Sequence, residues 1–157
     1  MAARLRALVP EHREPLRDLL RATEEFTREE TEVALELIDD TLGGGTHYRF
    51  VVAEDNDGVA GYVCYGPAPM TDGVWDLYWI VVAPRRRRAG LGSALLAAAE
   101  TAITSEQGRM ILIETASQVA YESTRRFYQR AGYGEAARVA DYYRIGDDKV
   151  IYGKPLG

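Results

Sequence analysis

The stretch IVVAPRRRRAGLGSALLAAAE, residues 80–100, decides the fold of this chain. It runs from β-branched apolar residues through a proline and four consecutive arginines to two glycines, and then into alanine-rich sequence that is typical of a helix. A helix that begins directly after a strand and a turn has first backbone N–H groups without partners, and its dipole adds partial positive charge there. Gly90 and Gly92 let a ligand approach the backbone closely, and the arginines add full charges. The stretch therefore predicts a site for a phosphate or pyrophosphate.

Two common phosphate-binding motifs do not match this stretch. The P-loop needs the spacing G-x-x-x-x-G-K-[ST], and RRRRAGLGS has neither that spacing nor the lysine. The dinucleotide fingerprint G-x-G-x-x-G needs a third glycine where Leu95 stands. The predicted site is therefore neither a P-loop nor a Rossmann turn.

Length and composition limit the other possibilities. A chain of 157 residues with 46% hydrophobic and 27% charged residues predicts one soluble domain that spans residues 1–157. The net charge of −5 argues against nucleic-acid binding, because four of the 19 cations are concentrated at residues 85–88. No apolar run has the length of a signal peptide or a membrane span, and a single cysteine, Cys64, excludes an internal disulfide. We expect a cytoplasmic protein that does not bind a membrane.

The sequence pattern predicts seven strands and four helices in the order βααβββαβαββ. The predicted strands are residues 4–9, 48–53, 59–65, 74–84, 110–117, 136–143 and 149–154. The Thr27–Glu30 sequence TREE has the form of a capping box, and EDNDG with Gly58 predicts a hairpin turn. This mixed order implies an α+β or α/β sheet with helices on both faces.

Two motifs together resemble one protein family. RRAGLG, residues 87–92, fits Arg/Gln-x-x-Gly-x-Gly/Ala, and STRRFYQRAGY, residues 123–133, is similar to a helix with the pattern A-x-x-F-Y-x-x-x-G-F. The chain resembles the GNAT superfamily of acyl-CoA-dependent N-acyltransferases over about residues 48–133. The resemblance implies a mixed, mostly antiparallel central sheet of about seven strands, flanked by helices on both faces, and acetyl-CoA as the acyl donor.

The resemblance also implies which residues bind acetyl-CoA. The pantetheine arm would bond like an extra strand along the end of the central strand, where the N–H of Val81 or Val82 would also stabilise the oxyanion. The loop after it would wrap the pyrophosphate. The implied contacts are Ile80, Val81 and Val82 for the arm, and Arg87, Arg88, Ala89, Gly90, Leu91, Gly92 and Ser93 for the pyrophosphate.

Acetyl transfer needs a base and an acid. Only about one alkylamine in a thousand is neutral at pH 7, so a base or a water chain must remove a proton. The resemblance points to Asp76 or Glu114 as that base, and to Tyr128 as the acid that protonates the leaving thiolate. Alternatively, the carboxylates are solvated strand ends, and Tyr128 only packs its helix against the sheet with Phe127.

One position departs from the family pattern. Tyr121 stands where many members carry an asparagine that contacts the cofactor arm, so this contact must be replaced or absent. His12 and His47 are far apart in sequence, and we predict no metal site. Cys64, in an apolar strand, is interpreted as a core residue rather than a nucleophile.

We therefore predict an N-acetyltransferase that moves an acetyl group to a primary amine by direct attack in a ternary complex. A small-molecule amine is the favoured acceptor, and one carboxylate of the acidic segment within residues 24–36 is a candidate to attract it. The alternatives are transfer to a protein N-terminus or lysine, or a non-catalytic acyl-CoA-binding regulatory domain. A homodimer formed through an exposed sheet edge is a further possibility.

Overall fold

The computed structural model describes residues 2–157, and its elements follow the predicted order. The strands are β1 Arg4–Ala7, β2 Arg49–Asp55, β3 Gly58–Pro67, β4 Val74–Val82, β5 Met110–Ala116, β6 Gly134–Arg144 and β7 Asp147–Pro155. The helices are α1 Arg13–Ala22, α2 Arg28–Leu42, α3 Leu91–Ser105 and α4 Glu122–Arg130. The predicted order is confirmed.

The seven strands form one sheet in the order β1-β2-β3-β4-β5-β7-β6. The pairs β1–β2, β2–β3, β5–β7 and β6–β7 are antiparallel, whereas β4 and β5 are parallel, with Val74–Leu77 beside Met110–Ile113. A parallel pair needs a long crossover, which α3 supplies. The predicted α+β fold with a mostly antiparallel sheet is therefore confirmed.

The chain divides into two compact units. The first contains the described residues up to Gly66 together with Trp79–Ala102, and the second contains Pro67–Tyr78 and Ile103–Gly157. Strand β4 and helix α3 each contribute residues to both units.

The first unit has an aliphatic core and one very close approach between strands. A Cβ atom at position 61 would lie 2.6 Å from the carbonyl oxygen of Val81, so only glycine fits there. The fully buried aliphatic residues of this unit include Leu16, Leu20, Ile38, Val52, Val63 and Leu95.

The second unit is built on the alternation of its strands. In β4 and β5, Trp75, Leu77, Ile111 and Ile113 are buried, whereas the residues between them are more exposed. Tyr152 of β7 pairs with Ile113 and shares the buried face. This part of the sheet therefore has one buried face and one wetter face.

The local signals in the sequence are confirmed. Thr27 accepts a hydrogen bond from the Glu30 N–H at 3.1 Å, and the Glu30 carboxylate accepts one from the Thr27 N–H at 2.9 Å. Gly58 has a φ of +111° in the hairpin turn. The first strand ends at Ala7 rather than Val9, because the Val9 N–H donates to the ring of His12 at 3.1 Å and caps the turn that follows.

None of the helices in residues 2–157 is long and apolar enough to cross a membrane.

Candidate active site

The predicted anion site lies at the start of α3. Gly90 has a φ of +79° and Arg88 a φ of +62°, so the loop turns twice through the left-handed region before the helix begins. Ala94 N–H donates to the Gly90 carbonyl at 3.1 Å, so the N–H groups of Leu91, Gly92 and Ser93 precede the first helical bond. A Cβ atom at position 90 would meet no atom within 4 Å, so the space in front of this backbone is open. The loop thus offers backbone donors to an anion.

The arginine run is already engaged in ion pairs. Arg85 makes two bonds to the Asp55 carboxylate, at 2.7 and 2.9 Å, and Arg86 lies 3.5 Å from the same group. The bond from Arg85 lowers the pKa of Asp55 below its ordinary value. Arg87 bonds to Glu25 at 2.7 Å. The first two arginines therefore anchor the loop to the end of β2, and the implied pyrophosphate contacts begin at Arg87.

The implied pantetheine segment continues β4 toward this loop. Val81 is buried, whereas Ile80 and Val82 on either side of it are partly exposed. Next to them, the Trp79 indole N–H donates to the Tyr62 hydroxyl at 2.6 Å, and Phe26 lies edge-on to Trp79 at 6.0 Å between ring centroids. The end of β4 is therefore lined by aromatic rings.

The two candidate bases lie on the wetter face of the second unit. Asp76 pairs with Leu112, and Glu114 lies two residues further along β5, so both carboxylates are on the same face. Asp76 is partly buried, whereas the side chain of Glu114 is 59% exposed and bonds to Lys149 at 2.8 Å. The structure brings the two predicted bases to one face, with Glu114 held in an ion pair.

The candidate acid belongs to α4, over the opposite face. Gln129 donates to the Tyr152 hydroxyl at 3.3 Å, and Lys154 donates to the Ala131 carbonyl at 2.9 Å, so α4 lies over the buried face. Tyr128 is 5% exposed and its ring packs on Phe127 and Tyr133. Burial raises the pKa of the Tyr128 phenol, which therefore stays protonated at neutral pH.

Two other side chains that could be reactive, Cys64 and His12, are buried within the fold. Cys64 is fully buried, as the core interpretation requires, and burial raises the pKa of its thiol. The His12 ring lies 2.9 Å from Glu54 and accepts the bond from Val9. Within residues 2–157, no group of three or more His, Cys, Asp or Glu side chains is arranged to hold a metal ion.

The sequence reasoning missed two contacts of the loop. It did not predict that Asp55 and Glu25 pair with the arginines, because these partners lie 30 and 62 residues away along the chain. In the sequence, one of these carboxylates lies in a turn-rich segment and the other in an acidic segment. No local signal distinguishes either of them from the neighbouring carboxylates. Only the fold brings them to the loop.

The matching family model decides the family. The model described as an acetyltransferase (GNAT) domain matches residues 46–135, which is more than half of the chain and includes every predicted catalytic and cofactor-binding residue. The chain belongs to the GNAT acetyltransferase family. The enzyme class predicted from the sequence, an acyltransferase, is therefore confirmed.

Solved structures agree with this family. A protein from Desulfovibrio desulfuricans assigned to the GNAT family of acetyltransferases is 44% identical, with a TM-score of 0.96 over 99% of this chain and 100% of that one. An aminoglycoside 6′-N-acetyltransferase complexed with coenzyme A is 20% identical, with a TM-score of 0.78 over 97% and 96% of the two chains. The ribosomal-protein-S18-alanine N-acetyltransferase of Escherichia coli is 17% identical, with a TM-score of 0.80 over 99% and 94%. No curated protein matches the chain.

Proposed function

We propose that this GNAT acetyltransferase moves the acetyl group of acetyl-CoA to a primary amine by direct attack in a ternary complex. The observation that carries the proposal is the distribution of acid and base groups in the second unit. Asp76 and Glu114 are on one face of the sheet, and α4 with Tyr128 lies over the other. Direct transfer needs both kinds of group, because the attacking amine must lose a proton and the leaving thiolate must gain one.

The acyl donor would bind through the loop before α3. The pyrophosphate accepts bonds from the backbone of residues 88–93 and from Arg87, and the open space at Gly90 admits it close to the chain. The pantetheine arm bonds along Ile80, Val81 and Val82. A backbone N–H of Val81 or Val82 stabilises the oxyanion of the tetrahedral intermediate.

The transfer step then follows without a covalent enzyme intermediate. The neutral amine nitrogen attacks the thioester carbon, the C–S bond breaks, and the Tyr128 hydroxyl gives its proton to the thiolate sulfur. The base takes a proton from the attacking nitrogen. Asp76 and Glu114 are the two candidates for this base, and the Glu114 carboxylate also pairs with Lys149.

The deciding experiment measures release of free thiol from acetyl-CoA across a panel of amines: amino acids, polyamines, aminoglycosides, arylalkylamines and short peptides. Product masses identify the acetylated nitrogen. We expect turnover with a small amine. Turnover only with peptides would instead establish the protein acetyltransferase, and tight acetyl-CoA binding without any turnover would favour the regulatory domain.

The edge strand β6 supports a second proposal, a homodimer. All of its residues are exposed, although a sheet strand normally buries one face. We propose that a second copy covers this strand, because it also exposes both charges of the Glu135–Arg138 pair, which suits a self-complementary two-fold contact. The large exposed apolar residues in this region are Val139, Tyr142, Tyr143 and Ile145.

Sedimentation equilibrium tests this contact directly. We expect Val139→Glu to weaken the dimer by about tenfold or more, since it buries a charge in the interface. Val33→Glu on α2 is the matched control, because both valines are about half exposed in the chain, at 48% and 46%. A monomeric wild type, or equal effects of the two variants, would contradict the proposal.

A further inference from the structure

One acidic side chain of the first unit is bonded to an arginine that is predicted to contact the cofactor. Residues 23–27 connect α1 to α2, and Glu25 in this loop bonds to the Arg87 guanidinium at 2.7 Å. Both side chains are largely exposed, at 58% and 47%. The pair is therefore accessible to a competing anion. A pyrophosphate on Arg87 would compete with the Glu25 carboxylate for this guanidinium.

The residue after Glu25 forms part of an aromatic surface. Phe26 packs edge-on against Trp79, and both rings are partly exposed. The Trp79 indole N–H donates to the buried Tyr62 hydroxyl, which fixes the indole ring. The Glu25 carboxylate thus belongs to the residue before Phe26, and Trp79, which Phe26 meets edge-on, comes directly before the segment Ile80–Val82.

We propose that Glu25 changes partner during the reaction. In the free chain it neutralises Arg87; when the pyrophosphate of the acyl donor binds Arg87, the Glu25 carboxylate is released and attracts the ammonium group of the acceptor. The apolar body of that acceptor packs on Phe26 and Trp79. This inference rests on the proposed function, since it takes acetyl-CoA and an amine as the two substrates.

The charges favour this exchange. An exposed ion pair contributes at most about fivefold to an equilibrium constant, whereas a pyrophosphate offers several charged oxygens to one guanidinium as well as to the loop backbone. The pyrophosphate therefore binds Arg87 in preference to the Glu25 carboxylate. The released carboxylate is then unneutralised, so the amine should bind better after the cofactor than before it.

The aromatic rings define the substrate class. An ammonium group is attracted to the face of an aromatic ring as well as to a carboxylate, and a ring or alkyl chain on the amine buries apolar surface against Phe26 and Trp79. The class indicated is a primary amine with an aromatic or apolar body, such as an arylalkylamine. A polyhydroxylated or polycationic amine would leave this surface unmatched.

Calorimetry with coenzyme A tests the partner exchange without any turnover. We expect Glu25→Gln to bind coenzyme A about three- to fivefold more tightly than wild type, because the competing carboxylate is gone. Glu24→Gln is the matched control, with the same change of charge one residue away. Equal affinities of the two variants would overturn the exchange. No coenzyme A binding by wild type would instead contradict the proposed function itself.

Phenethylamine and butane-1,4-diamine test the acceptor half, again by calorimetry. We expect phenethylamine to bind the coenzyme A complex at least about tenfold more tightly than the diamine, and about fivefold more tightly than it binds the free chain. Glu25→Gln should weaken the binding of phenethylamine to the coenzyme A complex more than Glu24→Gln does. Phe26→Ala, a surface change, and Trp79→Leu should each remove the preference over the diamine. No binding of phenethylamine, or an unchanged preference in Phe26→Ala, would overturn the acceptor assignment.

Discussion

The loop before α3 and the helix α4 carry the two family motifs, and they offer different parts of the chain to a ligand. In the loop, the donors are backbone N–H groups, and two of the four arginines are tied to Asp55. In α4, one phenol is the candidate group, and aromatic rings hold it. A site made of backbone depends on conformation, so added Cβ atoms should damage it. A site made of one side chain depends on a single oxygen atom.

The largest effect should come from removing that oxygen. We expect Tyr128→Phe to lower kcat by about a hundredfold or more, because the thiolate loses its proton donor while the ring packing is kept. Affinity for acetyl-CoA should change little. Steady-state kinetics with the best amine, together with calorimetry, separate the two quantities.

Tyr152→Phe is the control for this prediction. Tyr152 is buried in the same unit, and its hydroxyl is bonded by Gln129, so the change removes a buried hydroxyl outside the candidate site. We expect a near-normal kcat for this variant. A normal rate in Tyr128→Phe would reduce that tyrosine to a packing residue and remove the contrast between the two regions.

A smaller effect is expected when the loop backbone is constrained. Gly90→Val places a β-branched residue at a φ of +79° and fills the open space before the helix. The strain costs about 1–3 kcal/mol, and the side chain obstructs the anion, so acetyl-CoA affinity should fall by tenfold or more. Calorimetry measures this loss, and kcat at saturating acetyl-CoA should change less.

Gly58→Val is the control for Gly90→Val, because it places the same side chain in a turn that has no proposed ligand contact. Gly58 also has a positive φ, +111°, with no atom within 4 Å of an added Cβ. It should lower the thermal stability to a similar extent and leave acetyl-CoA affinity intact. Equal losses of affinity in the two variants would mean that general destabilisation, and not the loop, explains the effect.

The fold could be predicted from the sequence because its signals are local. The order of helices and strands along the chain, the capping box at Thr27 and the turn at Gly58 each depend on neighbouring residues, and the structure confirms them. The predicted end of the first strand, Val9, is wrong, since the His12 ring accepts a hydrogen bond from the Val9 N–H and no local sequence pattern predicts that bond.

The candidate site could be predicted only in part. Sequence motifs indicate the loop and Tyr128, but the partners of the arginines come from the end of β2 and from the connection between α1 and α2, which are distant along the chain. Whether Asp76 and Glu114 share a face depends on the register of a parallel strand pair, which the sequence does not specify. Each of these features is a long-range contact, and such contacts follow from the fold rather than from spacing.

An intermediate effect should distinguish two neighbouring arginines of the loop. We expect Arg87→Gln to weaken acetyl-CoA binding by about tenfold, because a charge-assisted bond to the pyrophosphate is lost. Arg85→Gln should weaken it less, since Arg85 is committed to Asp55. The reverse order of affinities in calorimetry would mean that the pyrophosphate binds Arg85 instead and displaces Asp55.

The smallest effect concerns how the loop is anchored. Arg85 lowers the pKa of the Asp55 carboxyl in the folded chain below the ordinary value of 3.8, so this pair stabilises the fold above about pH 4. That contribution is lost as the pH falls through the lowered pKa, because the carboxyl is then protonated in both states. The rings around Tyr128 in α4 carry no charge near these pH values, so acid should affect the loop and not this packing.

Thermal unfolding of Asp55→Asn against wild type tests the sign of this effect. The variant should unfold at a lower temperature from pH 5 to pH 8, and the difference should shrink as the pH falls below 3.8 toward the lowered pKa of the folded chain. Asp18→Asn, which changes an exposed carboxylate on α1, is the control. A difference that persists unchanged at pH 3 would mean that the shape of the Asp55 side chain, and not its charge, holds the loop against β2.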